Sequence, residues 1–311
     1  MLSKASVAIS RGEDPYFNTL RALNLIKDAT DASFVGRKVL VKPNLVTAWR
    51  TAWESGAVTN PGVIKAVIDF LNFHYHPEEM VIGEGTSNGS TWEAYRNNHY
   101  LQFQGYENVR LIDFNQCSGT PIRIVNPLSL SEGDLRVAEV VFEFDYIVSV
   151  PALKTHDHGI VSLSLKNMLG VATGPWERVK VHGGKYPSDM SDEEFMRSLP
   201  EFHRNILRLV QRVKPDLAVI DGHVAMEGEG PTNGSPVRMN LVIVGTCPVA
   251  VDAVGTAIMG FNPYEVKYIA LAERLGMGTA DIGQIEIRGE RLEAVRRNFK
   301  PHHRYHLMKI R

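Results

Sequence analysis

Residues 145–170 read DYIVSVPALKTHDHGIVSLSLKNMLG, and their reading decides the fold. Tyr146, Ile147, Val148 and Val150 form an apolar, β-branched run, the pattern of a strand buried on both faces. Proline cannot donate to a sheet ladder, so Pro151 is expected to end that strand. Close behind it come Lys154, His156, Asp157, His158, Lys166 and Asn167. Polar groups crowded past the end of a buried strand sit where open α/β sheets place their ligands. If THDHG is extended, His156 and His158 share one side and Asp157 points away. If SLSLKNML is helical, Leu165, Met168 and Leu169 form its buried face, Gly170 stops it, and Ser162 stacks with Lys166. A loop of solvated charges is the plain alternative. Two His, two Lys and an Asn beside such a strand favour a site.

Outward from this stretch, strand and helix patterns alternate. A helix is expected over 15–30, a strand over Val39–Val41 ending at Pro43, and a helix from Asn60-Pro61 with Val63, Ile64, Val67, Ile68 and Leu71 inward. Strands at Met80–Ile82 and Val109–Ile112 flank a polar helix near Trp92–Tyr100. Short β-like pieces follow at Ile122–Val125 and Val137–Phe144, making 114–144 a β-rich insertion or subdomain. Residues 174–199 are polar, rich in Gly and Pro, and read as an irregular lid. Beyond them, FHRNILRLVQRV is an amphipathic helix, Leu217–Ile220 and Leu241–Val244 are strands, and two helices follow. The fold class is α/β, a mainly parallel sheet with helices on both faces and a small β-rich insertion, the whole of 1–311 forming one domain. The final KPHHRYHLMKIR reads as a solvated tail.

Several strand ends carry chemistry. Lys42 and Asn44 flank Pro43; with Lys154, Lys166 and Asn167 they would make a pocket for phosphate or carboxylate. Glu84 lies between Gly83 and Gly85, placed for a metal ligand, a general base or a turn-stabilising carboxylate. That spacing is neither the dinucleotide fingerprint nor a Walker loop. Leu217–Ile220 is expected to deliver Asp221 and His223 to its end, followed by Glu227, Glu229 and a loop in which Gly228 and Gly230 allow close approach to a ligand. Asp221 would be a metal ligand or acid–base group, or a loop hydrogen-bonder. His156 and His158 have the type and spacing for two ligands of one divalent metal, with Glu84 or Asp221 completing the set. Asp252 is expected to face inward and to need a partner such as a lysine. His99, His182 and His203 stand isolated and read as structural or solvated.

These motifs carry a resemblance. The stretch 148–170, with VLVKPNLV at 39–46, VIGEG at 81–85, AVIDGHVAMEGEGPTNG at 218–234 and PVAVDAVGTAIMG at 248–260, is similar in order and content to a family catalogued as domain of unknown function 362. Many members of that family append a cysteine-rich iron–sulfur segment. Here only Cys117 and Cys247 occur, so no iron–sulfur cluster is expected. The order strand, Pro, His, Gly, Lys and Gly also resembles a stretch of the nickel-dependent lactate racemase family. That likeness implies His156 or His158 as the proton-handling base and Lys166 as a binder of cofactor or substrate. The glycine pair before that family's lysine is replaced here by Leu165 and its neighbours.

Composition bounds the partners. The 311 residues are 44% hydrophobic and 22% charged with a formal net charge of -1, which gives no electrostatic case for nucleic acid or an anionic membrane. Two cysteines make no disulfide framework, and no apolar stretch approaches the roughly 20 residues that cross a bilayer. The N-terminus lacks a secretory core, and a cytoplasmic location is expected. The oligomeric state is left open. The expected function is an enzyme acting on a small anionic metabolite: the lysines hold its charge, His156 or His158 moves a proton, and Asp221 or Glu84 orients that histidine or binds a metal. A non-catalytic binder of a small anion or cofactor is the alternative, and a scaffold with pinned loops a third reading.

Overall fold

The computed structural model describes residues 5–30 and 37–309. In it Tyr146–Val150 (β7) is a fully buried strand at the centre of a mixed sheet. Around it stand β1 (Ala5–Arg11), β2 (Lys38–Pro43), β3 (Glu79–Glu84), β4 (Val109–Asp113), β10 (Leu217–Glu227), β11 (Ser235–Gly245) and β12 (Ile285–Gly289). Their order is β12-β1-β11-β10-β7-β2-β3-β4. The run β10-β7-β2-β3-β4 is parallel throughout, while β11 is antiparallel to both β10 and β1. Alternate side chains enter two cores. Leu40, Val81, Ile147 and Ile220 pack with α6 (Asp192–Val210), α7 (Pro248–Ile258) and α8 (Lys267–Arg274) on one face. Val41, Ile82, Val148 and Val219 pack with α1 (Pro15–Leu25), α2 (Pro61–Tyr75) and α3 (Thr91–Asn97) on the other. The α/β class with helices on both faces is thus the observed one, and β5 (Gly119–Val125) pairs with β6 (Glu132–Ala138) as a separate two-stranded sheet.

Helix starts follow their caps. Asp14 accepts from the amides of Tyr16 and Phe17 ahead of α1, and Asn60 accepts from Gly62 ahead of α2, each with proline at the first helical position. Ser191 and Glu194 form a reciprocal capping box that starts α6 well before the expected FHRNILRLVQRV stretch, with Pro200 inside the helix. The segment 174–199 therefore contains α5 (Pro175–Lys180) and the first turns of α6 rather than being irregular throughout. The expected strand Val137–Phe144 ends at Ala138 and gives way to a 3-10 turn over Glu139–Glu143.

Three more departures shape the site. β7 ends before Pro151 as expected, but the chain resumes pairing at once as a new strand, β8 (Ala152–His156), parallel to the second half of β10 and antiparallel to β9 (Ile160–Ser162). The carbonyl of Pro151 keeps the continuity by accepting from Asp221 N at 2.8 Å. β10 runs on to Glu227, past a bulge between Gly222 and Val224, because β11 pairs with it along most of its length. The helix at SLKN, α4 (Ser164–Asn167), is one turn long and passes into a 3-10 turn over Met168–Val171, so Ser162 belongs to a strand and Gly170 lies inside the turn. Leu165, Met168 and Leu169 are buried as expected.

Candidate functional site

The parallel strands β2, β3 and β7 bring their carboxyl ends to one edge, and the first side chains there form a buried ion pair. Lys42 Nζ lies 2.8 Å from Glu84 Oε2, and neither side chain is more than 2% exposed. Glu84 also accepts from the amides of Leu45 and Gly85, both at 2.8 Å, and Lys42 donates to its own neighbour Pro43 O. Burial lowers the Lys42 pKa while Glu84 raises it. The pair sits so close under the 3-10 turn that a Cβ on Gly170 would strike both Glu84 Oε1 and Lys42 Nζ. Gly170 is there to admit the ion pair. Asn167 ties the same edge together, donating to Lys42 O at 3.0 Å and to Ser149 Oγ at 3.1 Å.

Above this floor is a cavity of about 190 Å3 whose walls include Asn44, Glu84, Lys154, His156, Lys166 and Asn167. Lys154 Nζ donates to the carbonyls of Ala57 (2.6 Å) and Pro231 (3.1 Å), which leaves one of its three protons without a protein partner among the described residues. Lys166 makes no hydrogen bond or ion pair among the described residues, although its residue is 9% exposed. Burial and the nearby Lys166 ammonium push Lys154 down to about 7. Burial pushes Lys166 down to about 8. Two buried acceptors without partners among the described residues also line the cavity: Asn44 Oδ1 and Asn167 Oδ1. Unsatisfied donors and acceptors facing one small space call for a polar occupant.

The hydrogen-bond network assigns the histidine protons. His158 N donates to His156 Nδ1 at 2.9 Å, so the ring proton of neutral His156 sits on Nε2. Asp157 Oδ1 is also 2.9 Å from that Nδ1. Two acceptors cannot face each other without a proton between them, and burial raises Asp157 while burial and the two lysines hold His156 well below its usual range. Both shifts favour a neutral carboxyl beside a neutral imidazole. A second chain runs behind. The Ser198 hydroxyl donates to Phe195 O, so it accepts from His158 Nε2 (2.8 Å), and His158 Nδ1 then accepts from His182 Nδ1 (2.8 Å). That leaves His182 Nε2 as a bare lone pair, on a ring that lines the cavity and that burial holds neutral, with a pKa of about 3. Phe202 stacks on His158 at 4.2 Å and fixes this arrangement.

Some expected site residues lie elsewhere. Asp221 accepts from the amides of Asn60 (2.7 Å) and His223 (3.0 Å), tying β10 to the start of α2, and is not on the cavity wall. His158 is behind the wall, Gly228 abuts Lys300, and Gly230 lets the loop press against Thr155 O, where a Cβ would clash. The ligand atoms of Glu84, His156, His158 and Asp221 do not gather around a point; among the described residues the sole such grouping is Glu229, His302 and His303. Asp252 is buried, but it caps α4 through Ser164 N (2.8 Å) and Leu165 N (3.0 Å) rather than meeting a lysine. Arg178 escaped the sequence reading, and His182, expected to be structural or solvated, lines the cavity. Both come from 174–199, which has no periodicity to announce an inward face. Arg178 is spent on Ser87 Oγ, Thr86 O, Ala172 O and Asn115 Oδ1, pinning α5 over the cavity.

Comparison with known proteins agrees with the motif reading. The profile of the family described as Domain of unknown function (DUF362) matches residues 39–257. The thylakoid-associated protein sll1697 of Synechocystis sp. is 27% identical over 243 residues, which cover 78% of this chain and 69% of that protein. A solved structure, the lactate racemase apoprotein from Thermoanaerobacterium thermosaccharolyticum, is similar with a TM-score of 0.47 and 13% identity; the match covers 83% of this chain and 57% of that one. No helix among the described residues is long and apolar enough to cross a membrane.

Proposed function

The chain belongs to the family described as Domain of unknown function (DUF362), a description that names no chemistry, and from the site itself we propose an enzyme that binds a small carboxylate or phosphate between Lys154 and Lys166 and moves a proton on it. The observation that carries this reading is the Lys166 ammonium, buried and without a hydrogen-bond or ion-pair partner among the described residues, on the wall of a cavity that it shares with Lys154. An anion would supply the missing acceptor for both. A cavity of about 190 Å3 is small for a metabolite site, which favours a ligand of a few heavy atoms over a nucleotide or a coenzyme. The two histidines on the wall have opposite tautomers: His182 offers a lone pair at Nε2 and His156 a proton at Nε2. A bound molecule could give a proton to the first and take one from the second, with Asp157 compensating the charge left on His156. No step in this scheme needs Asp221.

The test is anion binding to the Lys166→Met protein. Methionine keeps most of the stem, so the fold should survive. Removing one partner of a buried charge pair costs about 2 to 5 kcal/mol, and at 1.4 kcal/mol per decade the affinity should fall at least about thirtyfold. Calorimetric titration of wild type and variant with inorganic phosphate and a panel of short carboxylates reads this directly. Equal affinities in both proteins would overturn the site. Binding to wild type without turnover of any bound compound, and without loss on His182→Gln, would leave a binding protein in place of an enzyme.

A further inference from the structure

Outside the cavity lies a wider cleft of about 560 Å3, sharing Asp157, Tyr186 and Pro231 with it and walled on its far side by the C-terminal segment. We propose that Glu229, His302 and His303 form a binding site for a divalent first-row transition ion of the zinc class at this mouth. Glu229 Oε2 lies 3.0 Å from His302 Nε2 and 2.7 Å from His303 Nδ1, and the three ligand atoms all fall within 4.8 Å of one another. Two imidazole nitrogens with one carboxylate oxygen suit zinc, cobalt or nickel, whereas calcium and magnesium prefer oxygen alone. With three protein ligands a fourth position stays open, toward the cleft that these residues line.

The ligands are held by the backbone around them as well as by one another. Lys300 N donates to Glu227 Oε2 at 2.9 Å, and Gly228 N donates to Lys300 O at 2.7 Å, so the tail is zipped to the end of β10. Arg304 donates to the carbonyls of Pro187 (2.6 Å) and Met190 (2.9 Å), fixing the next turn of the tail. His303 N donates to Glu229 Oε1 at 3.2 Å, which leaves Oε2 for an ion. The ordering cost of bringing together residues from two distant parts of the chain is thus met by the fold before any ion arrives. An ion takes the lone pairs of His302 Nε2 and His303 Nδ1, and each ring proton then sits on the other nitrogen. For His303 that nitrogen is at the surface; for His302 it is Nδ1, and the 3.2 Å bond from Arg304 N is given up. The competing account is a carboxylate shared by two histidines with no affinity for metal.

The experiment uses untagged full-length protein, equilibrium dialysis with zinc, and the visible absorption of cobalt(II) as a spectroscopic reporter of nitrogen and carboxylate ligation. Glu229→Gln and His303→Ala are compared with wild type and with His76→Asn, an exposed histidine elsewhere on the surface, as control. Expected are a single equivalent of zinc and a cobalt band in wild type and control, with affinity weaker by about tenfold or more in both ligand variants. His303 is largely exposed and Glu229 half-buried, so both variants should stay folded, with thermal midpoints close to wild type. Absence of stoichiometric zinc in wild type, or binding undiminished in Glu229→Gln and His303→Ala, overturns the site. Neither readout depends on the cavity anion, so this site and the anion site stand or fall separately.

Discussion

At the scale of single residues, the tightest constraint is the close approach of the 3-10 turn to the Lys42–Glu84 pair. Gly170→Ala adds one carbon where two charged atoms already sit. Neither neighbour can move freely, because Glu84 also holds the amides of Leu45 and Gly85. Displacing one partner leaves a buried charge uncompensated, so the variant should lose about 2 to 4 kcal/mol of stability by urea denaturation. A loss under about 1 kcal/mol would mean that the turn relaxes away from the pair. Residues of this kind were legible in the sequence in proportion to their nearness to a strand. Lys42, Glu84, Lys154, His156 and Lys166 lie on or just after β-branched runs, and all are found at or beneath one cavity. Asp221 has the same address and a different job, since accepting from Asn60 N on a distant segment leaves no trace in local sequence. His182 has no such address at all.

Elements were legible where one periodicity ran without interruption, as in α2 and in the first half of β10. They were obscured where tertiary pairing overrode local signals. Proline after Val150 says stop, and β7 does stop there, yet β10 and β9 offer hydrogen bonds on either side and a new strand opens one residue later. The polar run from Asp221 to Glu227 reads as a loop until β11 is placed beside it. The stretch 174–199 is the element whose role we hold as a proposal: α5 and the turn at Pro187 lie over the cavity and would act as a lid. Opening would break the Arg178 bonds to Thr86 O and Asn115 and the Arg304 bonds to the Pro187 turn. Gly183 and Gly184, both at positive φ, mark where the backbone would hinge. Trypsin should therefore cut after Lys185, which is exposed, faster than elsewhere, and a saturating anion should slow that cut. Identical cleavage with and without a tightly bound anion would reduce the stretch to a fixed part of the wall.

For the whole molecule, the two depressed lysines of the cavity wall, Lys154 and Lys166, tie global stability to pH. Unfolded, both would titrate near 10.5, whereas in the fold Lys154 does so at about 7 and Lys166 at about 8. Between those values the unfolded chain holds protons that the folded protein has shed, so stability from these groups rises with pH. It is fully present above the unfolded value and is lost as pH falls through 8 and then 7. Urea melts of the anion-free protein from about pH 7 to about pH 10 should show this rise, and the double variant Lys154→Met with Lys166→Met should flatten it. Parallel curves for the two proteins would show that the lysines are not desolvated as the fold implies. A bound anion should lessen the slope too, because it holds the protons on. The C-terminal segment is also a matter of the whole molecule. Far from a solvated tail through residue 309, it buries Leu307 and Met308 and clamps the Pro187 turn; its last two residues lie outside the described range.

The break at Pro151 has a consequence for how the protein can change. Residues 146–150 belong to the central sheet and have side chains in both cores, while 152–156, on the far side of a single proline, belong to a short ribbon that turns at Asp157 and returns as β9. One continuous segment is thus written in two registers. Substitutions before the proline fall on both cores; after it only Lys154 and His156 reach the cavity wall, while Leu153 between them is core. A lineage that exchanged Lys154 or His156 would recast the cavity wall and leave the side chains of 146–150 in their two cores untouched.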